Sequence, residues 1–199
     1  MTRTPPSARG PALRSFFREV RSRLPPPVRI AGHGTQEAAV SVILTPGPQG
    51  PRLLLIHRAK HPRDPWSGQI GLPGGRREPS DPDLLATAIR ETREETAIVL
   101  RESHLLGELD DLRPTHRGLP RVTIRPFVFG LTRPGMVVPS PEVDGFFWAC
   151  LKCLRSSAGL AEIDYKERTL AVPAFHPEGK VVWGITHSIL KGFLDALEG

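Results

Sequence analysis

Cysteine is nearly absent from this sequence: Cys150 and Cys153 are the only two among 199 residues. Two thiols cannot build the disulfide framework of a small secreted domain. Their CxxC spacing admits redox or metal chemistry, but a zinc site needs two further ligands nearby. The run Phe146-Phe147-Trp148-Ala149-Cys150-Leu151 reads as a buried strand entering a turn. Both thiols are therefore expected to be core or surface-turn residues. A redox role would call for an adjacent helix start that lowers a thiol pKa, and the sequence offers no sign of one. Long apolar runs are missing as well. No stretch reaches the roughly 18 residues of a membrane span, and the N-terminus has no apolar signal-peptide core. The expectation is a cytoplasmic protein with no membrane partner. No internal repeat is visible.

Acids are scarce at the start, where Glu19 stands alone among Arg3, Arg9, Arg14, Arg18, Arg21 and Arg23. An Arg-rich, acid-poor start can be a mitochondrial transit peptide. Here Leu13, Phe16, Phe17, Val20 and Leu24 recur at helical spacing, which points to an amphipathic helix docked on the rest. Residues up to about Pro11 are expected to be irregular, and Pro25-Pro26-Pro27 cannot continue a helix. The composition is 39% hydrophobic and 24% charged. That fits one domain, residues 36–199, behind a basic extension, residues 1–35, that carries the helix. The net charge of +6 favours anionic partners.

Two strand-like runs, Ala38 to Leu44 and Arg52 to His57, flank Pro46-Gly47-Pro48-Gln49-Gly50 and predict a hairpin. A polar connection from His61 to Gly75 ends in Leu72-Pro73-Gly74-Gly75. A helix should follow, capped by Asp81, with Pro82 in its first position, and run to about Ala97. Further strands are expected at Leu105 to Leu112, Val122 to Leu131 and Phe146 to Ala149, then a last helix from Ile185 to Leu197. Strands interspersed with a few helices imply an α/β protein with a mixed sheet between helices.

The chemistry gathers at Arg90-Glu91-Thr92-Arg93-Glu94-Glu95. On a helix, Glu91 and Glu95 lie one turn apart, with Glu94 beside them. Three carboxylates on one stripe repel each other, and hard divalent cations choose oxygen ligands. Taken alone, the six residues also suit a solvated face on which Arg90 and Arg93 neutralise the acids. The Gly74-Gly75 pair, which lets backbone approach a metal or phosphate, turns the reading toward a site.

Gly75-Arg76-Arg77-Glu78-Pro79-Ser80-Asp81, with Arg90-Glu91 and Glu94-Glu95 behind it, resembles the Nudix box. The resemblance implies a Nudix-type α/β/α sandwich with a central mixed β-sheet. It implies a hydrolase acting on a diphosphate linkage in a small-molecule nucleotide, with Mg2+ or Mn2+ held by Glu91, Glu94, Glu95 and the Gly75 carbonyl. Arg90 would brace loop and helix through Asp81 or a neighbouring Glu. Glu91 or Glu94, or else Glu142 in the Ser140-Pro141-Glu142-Val143 loop, would take the proton from water; an ordinary loop Glu is the other reading of Glu142. Asp81 stands where the common pattern has Glu, the stretch from Pro82 to Ile89 is one residue longer, Thr92 replaces an aliphatic residue, and Ala97 replaces the terminal Gly. The longer spacing is a feature of the coenzyme A pyrophosphatase branch. Leu54-Leu55-Ile56-His57-Arg58 through Gly68-Gln69-Ile70 is similar to the upstream signature of that branch, which gives Arg58 and Arg63 to the substrate phosphates. The substrate implied is coenzyme A or an acyl derivative, yielding 3′,5′-adenosine bisphosphate and 4′-phosphopantetheine. ADP-ribose or a dinucleoside polyphosphate is the alternative.

A non-catalytic nucleotide- or nucleic-acid-binding module using the basic arm is the rival of another class. The acid cluster argues against it, because phosphate binding alone prefers bases. Homodimerisation is frequent in the family, though no residue pattern here marks an interface.

Overall fold

The computed structural model describes residues 9–30, 36–61, 66–114, 120–165 and 168–198. Arg63, expected at the substrate, lies outside them, as do residues 1–8. The first helix, α1 (Arg9–Arg23), takes in the last three residues of the stretch expected to be irregular and ends just before the prolines. Two strands follow, β1 (Gln36–Gly47) and β2 (Gly50–Arg58), which form the predicted hairpin. The polar connection holds two short strands, β3 (Ile70–Gly71) and β4 (Gly74–Arg76). The carboxylate helix is α2 (Leu84–Thr96). Next come β5 (Leu105–Glu108), β6 (Val122–Gly130), β7 (Val143–Cys150), a short helix α3 (Leu151–Ser156), β8 (Ala158–Tyr165), β9 (Arg168–Phe175), β10 (Val182–Trp183) and α4 (Gly184–Ala196).

Among the described residues the first seven strands form one mixed sheet, ordered β3-β2-β1-β6-β5, with β4 on β1 and β7 on β2. Strand β1 runs antiparallel to β2 and β4 on one side and parallel to β6 on the other. Alternation along the strands sends two sets of side chains apart. Val42, Leu44, Leu53 and Leu55 face Val20 of α1 and Ile189, Leu190, Phe193 and Leu194 of α4. Ala39, Ile43 and Leu54 face Leu84 and Ala88 of α2. The result is the expected helix–sheet–helix sandwich. Helix α1 is part of this core, with Val20 fully buried. Two of its arginines cap other elements: Arg21 Nη2 donates to the Leu105 carbonyl at 2.7 Å, and Arg23 Nη1 donates to that of Leu197. No described helix is long and apolar enough to cross a membrane.

Several expectations need correction. The cap of α2 is Asp83, whose Oδ1 accepts the Ala86 N–H at 2.8 Å. Asp81 is withdrawn into the protein, 6% exposed, and serves Arg90 instead. Strand β5 stops at Glu108, and Leu112 keeps only an isolated bridge to Ile124. The three-stranded sheet β10-β9-β8 has no counterpart in the sequence reading. The thiols also differ: Cys150 caps α3, and its sulfur accepts the Cys153 N–H at 3.3 Å. Ala97 ends α2 in the left-handed region with φ 59°, and its N–H reaches the Arg93 carbonyl, a position where Gly would be cheaper by about 1 kcal/mol.

Candidate active site

Backbone geometry sets the site before any side chain does. Gly74 pairs with Val40 of β1 at φ 151°, and a Cβ there would overlap the Ala39 carbonyl oxygen and Val40 itself. Only glycine fits. At Gly75 a Cβ would lie 2.5 Å from the carboxylate of Glu91, so the second glycine leaves room for an acid. Helix α2 is held over this turn by a buried polar pin. Thr92 Oγ1 donates to Ser41 Oγ at 2.8 Å, and Ser41 Oγ to the Ala88 carbonyl. The Ser41 N–H donates to the Pro73 carbonyl. Thr92, where the common motif has an aliphatic residue, thus locks the helix to β1.

Arg90 lies behind the cluster and is 16% exposed. Its Nε and Nη2 grip Asp81 at 3.0 and 2.9 Å, and Nη2 also reaches the Arg76 carbonyl. Its Nη1 holds Glu91 Oε1 and Glu94 Oε2, both at 3.0 Å. This fork joins the loop to the helix, so Arg90 is a positioning residue. Asp81 is completed by the Glu78 N–H and the Thr87 hydroxyl. The Arg90 hydrogen bonds hold its carboxyl well below the usual range against the cost of burial.

Glu95 is the deepest acid, 4% exposed. One carboxylate oxygen accepts the Gly74 N–H at 2.8 Å, and the other is 3.5 Å from Arg58. Burial pushes its carboxyl up to about 7; Gly74 and Arg58 oppose the rise, while Glu91 and Glu142 add to it. Glu91 is also raised, first by burial, with Arg90 lowering it and Glu94 and Glu142 raising it. Glu94 is exposed. Glu142 belongs to the β6–β7 loop, which is tied to the cluster from two sides. The Ser140 N–H donates to the Glu95 carbonyl at 3.0 Å, and the Glu142 carbonyl accepts the Ala59 N–H at 2.9 Å.

The structure therefore brings Gly75, Arg90, Glu91, Glu94, Glu95, Glu142 and Arg58 into one neighbourhood. Arg58 reaches it through Glu95. Sequence reasoning missed Ser41 and the roles of Thr92 and the Gly74 N–H; a Ser in the middle of the apolar run of β1 and a Thr in place of an aliphatic residue were the visible traces. Among the described residues no three acids converge as they would around an ion, because Glu91 and Glu94 turn to Arg90 and Glu95 turns to Gly74. The donor set nevertheless fits a hard divalent cation. All the groups are oxygens, two of the acids are desolvated, and a side chain at Gly75 would fill their space.

Two cavities lie among the described residues, the first on the α4 side of the sheet and the second on α2. One, of about 490 Å3, is walled by His57, Gln69, Phe147, Lys180 and Trp183. The other, of about 510 Å3, lies along the outer side of α2 beside Asp81, Asp83 and Val99. Neither contains Glu91 or Glu95; crowded charge, rather than concavity, marks the centre.

Comparison with known proteins agrees. The NUDIX domain family matches residues 35–169. A protein named Uncharacterized Nudix hydrolase NudL in Yersinia pestis (strain Pestoides F) is 37% identical over 109 residues, which cover 52% of this chain and 54% of that protein. The chain thus matches about half the length of such relatives. In three dimensions it is similar to a MutT/nudix family protein from Enterococcus faecalis (TM-score 0.59, 16% identity, 92% of this chain and 69% of that one). It is also similar to an Ap4A hydrolase of C. elegans (TM-score 0.54, 22% identity, 83% and 99%). At these identities the two structures speak for the fold alone.

Proposed function

The chain belongs to the Nudix family, and on that premise we propose that it hydrolyses a diphosphate linkage in a nucleoside diphosphate derivative with the help of divalent metal. We propose coenzyme A or an acyl-coenzyme A as the substrate. One observation carries the hydrolase reading: Glu91 and Glu95 are desolvated carboxylates with raised proton affinity, packed against a glycine that leaves them room. Such a pair is unfavourable by itself and is stabilised by a cation. The substrate is the choice of the upstream residues, Leu54 through Arg58 and Gly68-Gln69-Ile70, which are similar to the coenzyme A pyrophosphatase branch.

Glu91, Glu94, Glu95 and the Gly75 carbonyl would hold magnesium or manganese, which when bound neutralises phosphate charge and lowers the pKa of water. Arg90 keeps Glu91 and Glu94 aimed while Asp81 fixes Arg90. Glu142, exposed and tethered beside the cluster, accepts the proton of the attacking water. The phosphorus–oxygen bond of the bridge then breaks, and the leaving phosphate takes the electron pair. Arg58 steadies Glu95 and offers charge to the diphosphate.

The test is a panel of coenzyme A, acetyl-coenzyme A, ADP-ribose and diadenosine tetraphosphate with magnesium or manganese, read by product mass. Formation of 3′,5′-adenosine bisphosphate and 4′-phosphopantetheine is expected. Faster turnover of ADP-ribose or the dinucleotide would overturn the coenzyme A assignment, and no metal-dependent turnover of any member would overturn the hydrolase reading.

A further inference from the structure

Phosphoanhydride hydrolysis makes no use of Cys150 and Cys153, yet the fold brings these thiols together. Strand β7 is paired with β2 up to the register Arg52–Cys150, which fixes the first sulfur. The chain then turns into α3, and the Cys153 N–H donates to that sulfur at 3.3 Å. The Cys153 thiol itself points to the Gln49 side-chain oxygen at 3.9 Å. Both thiols are free; Cys150 is half-buried and Cys153 exposed. The amide contact holds the two residues three apart across one helix start, where side chains are neighbours, and rotation of the exposed Cys153 side chain away from Gln49 closes the roughly 2.05 Å bond of a disulfide.

We propose that Cys150 and Cys153 form a redox-active dithiol that exchanges with small-molecule disulfides, Cys150 attacking and Cys153 resolving. The Cys150 thiolate attacks one sulfur of the small disulfide, the sulfur–sulfur bond breaks, and one small thiolate leaves. Cys153 then gives up its proton and attacks the Cys150 sulfur, expelling the second small thiolate. Each leaving thiolate takes up one of the two protons released by the protein. Two protein thiols are thereby oxidised to one disulfide, and one small disulfide is reduced to two thiols. The electrostatics fit this order of events. Burial alone would raise the Cys150 thiol, but the neighbouring Cys153 thiol and the backbone N–H groups of Cys153 and Lys152 hold it below the ordinary value. Cys153 is raised, chiefly by its neighbour Cys150. The more acidic thiol is the attacking one, since the thiolate is the nucleophile.

The test uses the whole, reduced protein in glutathione buffers of graded ratio, quenched by alkylation and read by intact mass. In the wild type both thiols should disappear together, with no glutathione retained. Cys153→Ser should trap one glutathione on Cys150, at a rate at least about tenfold above that of Cys150→Ser. Serine is itself a good helix cap, so the Cys150 variant keeps its fold. The Glu95→Gln protein should exchange like the wild type, which separates this outcome from any failure of the hydrolase reading. Stable mixed disulfides in the wild type, thiols that stay fully alkylatable in oxidised glutathione, or equal rates in the two serine variants would each overturn the proposal.

Discussion

Glu95 offers a test in which stability and activity are expected to move in opposite directions. Its carboxyl rises from the ordinary 4.5 to about 7 on folding, chiefly through burial. Below 4.5 the folded and unfolded chains both hold the proton, and the group has no effect on stability relative to neutral Gln. As the pH climbs toward 7 the unfolded chain has already lost its proton while the folded chain keeps it. Stability therefore falls, and the loss is complete once the pH passes the folded value. The gap between 4.5 and about 7, at about 1.4 kcal/mol for each pH unit, corresponds to about 3 kcal/mol at pH 8. Glu95→Gln removes that penalty and keeps an oxygen to accept the Gly74 N–H. In EDTA at pH 8 the variant should be more stable than the wild type by about 3 kcal/mol, or roughly 6–12 °C in Tm for a chain of this size. At about pH 4.5 the two should converge. Millimolar magnesium should raise the wild-type Tm at pH 8, leave the variant nearly unmoved, and support turnover in the wild type alone. Urea and thermal unfolding at the two pH values, with and without metal, measure all of this. A variant less stable than the wild type in EDTA at pH 8, or an advantage that does not shrink on acidification, would refute the desolvation argument.

Three further outcomes follow from the same geometry. Gly74→Ala should destabilise the protein by more than about 3 kcal/mol in urea denaturation, because the added carbon meets backbone, whereas Gly75→Ala meets only the carboxylate end of Glu91 and should abolish turnover at a smaller stability cost, about 1–2 kcal/mol. Arg90→Ala leaves buried Asp81 without its partner and should cost about 3–5 kcal/mol; Arg90→Lys, which keeps the charge without the planar fork, should recover part of that stability and little activity, so equal activity in Arg90→Lys and the wild type would remove the positioning role. Glu142→Gln should lower kcat by about 10²–10⁴-fold while calorimetry finds metal affinity nearly unchanged, and a loss of metal binding would make Glu142 a ligand rather than a base.

The carboxylate helix was legible because its signal is local: one turn of spacing and a glycine pair suffice to put the acids together. The hairpin and the two-sided core were legible for a similar reason, since strand alternation declares its faces residue by residue. The misplaced cap shows where local reasoning stops. Asp81 and Asp83 are both good caps in isolation, and the choice falls to Asp83 because Arg90, nine positions away, captures Asp81. The β8–β9 hairpin was hidden for another reason. Most of β8 faces solvent and Leu160 is 69% exposed, so no buried stripe announces it. Strands β3 and β4 are two and three residues long and exist only because β2 and β1 supply partners. The Cys150 cap depends on where β7 ends, which pairing with β2 decides. Within the site, the acids could be read and their supports could not, because Ser41 and Thr92 meet only across 51 residues of chain.

Strand β1 acts as the datum from which the clustered acids are surveyed. Gly74 is clamped to Val40, and the amide of that same glycine fixes the height of Glu95, so a displacement of this stretch of strand by a fraction of an ångström is handed directly to the glutamates. Conservative exchanges among the apolar neighbours of Val40 will consequently betray themselves in reaction rate well before any melting curve records them.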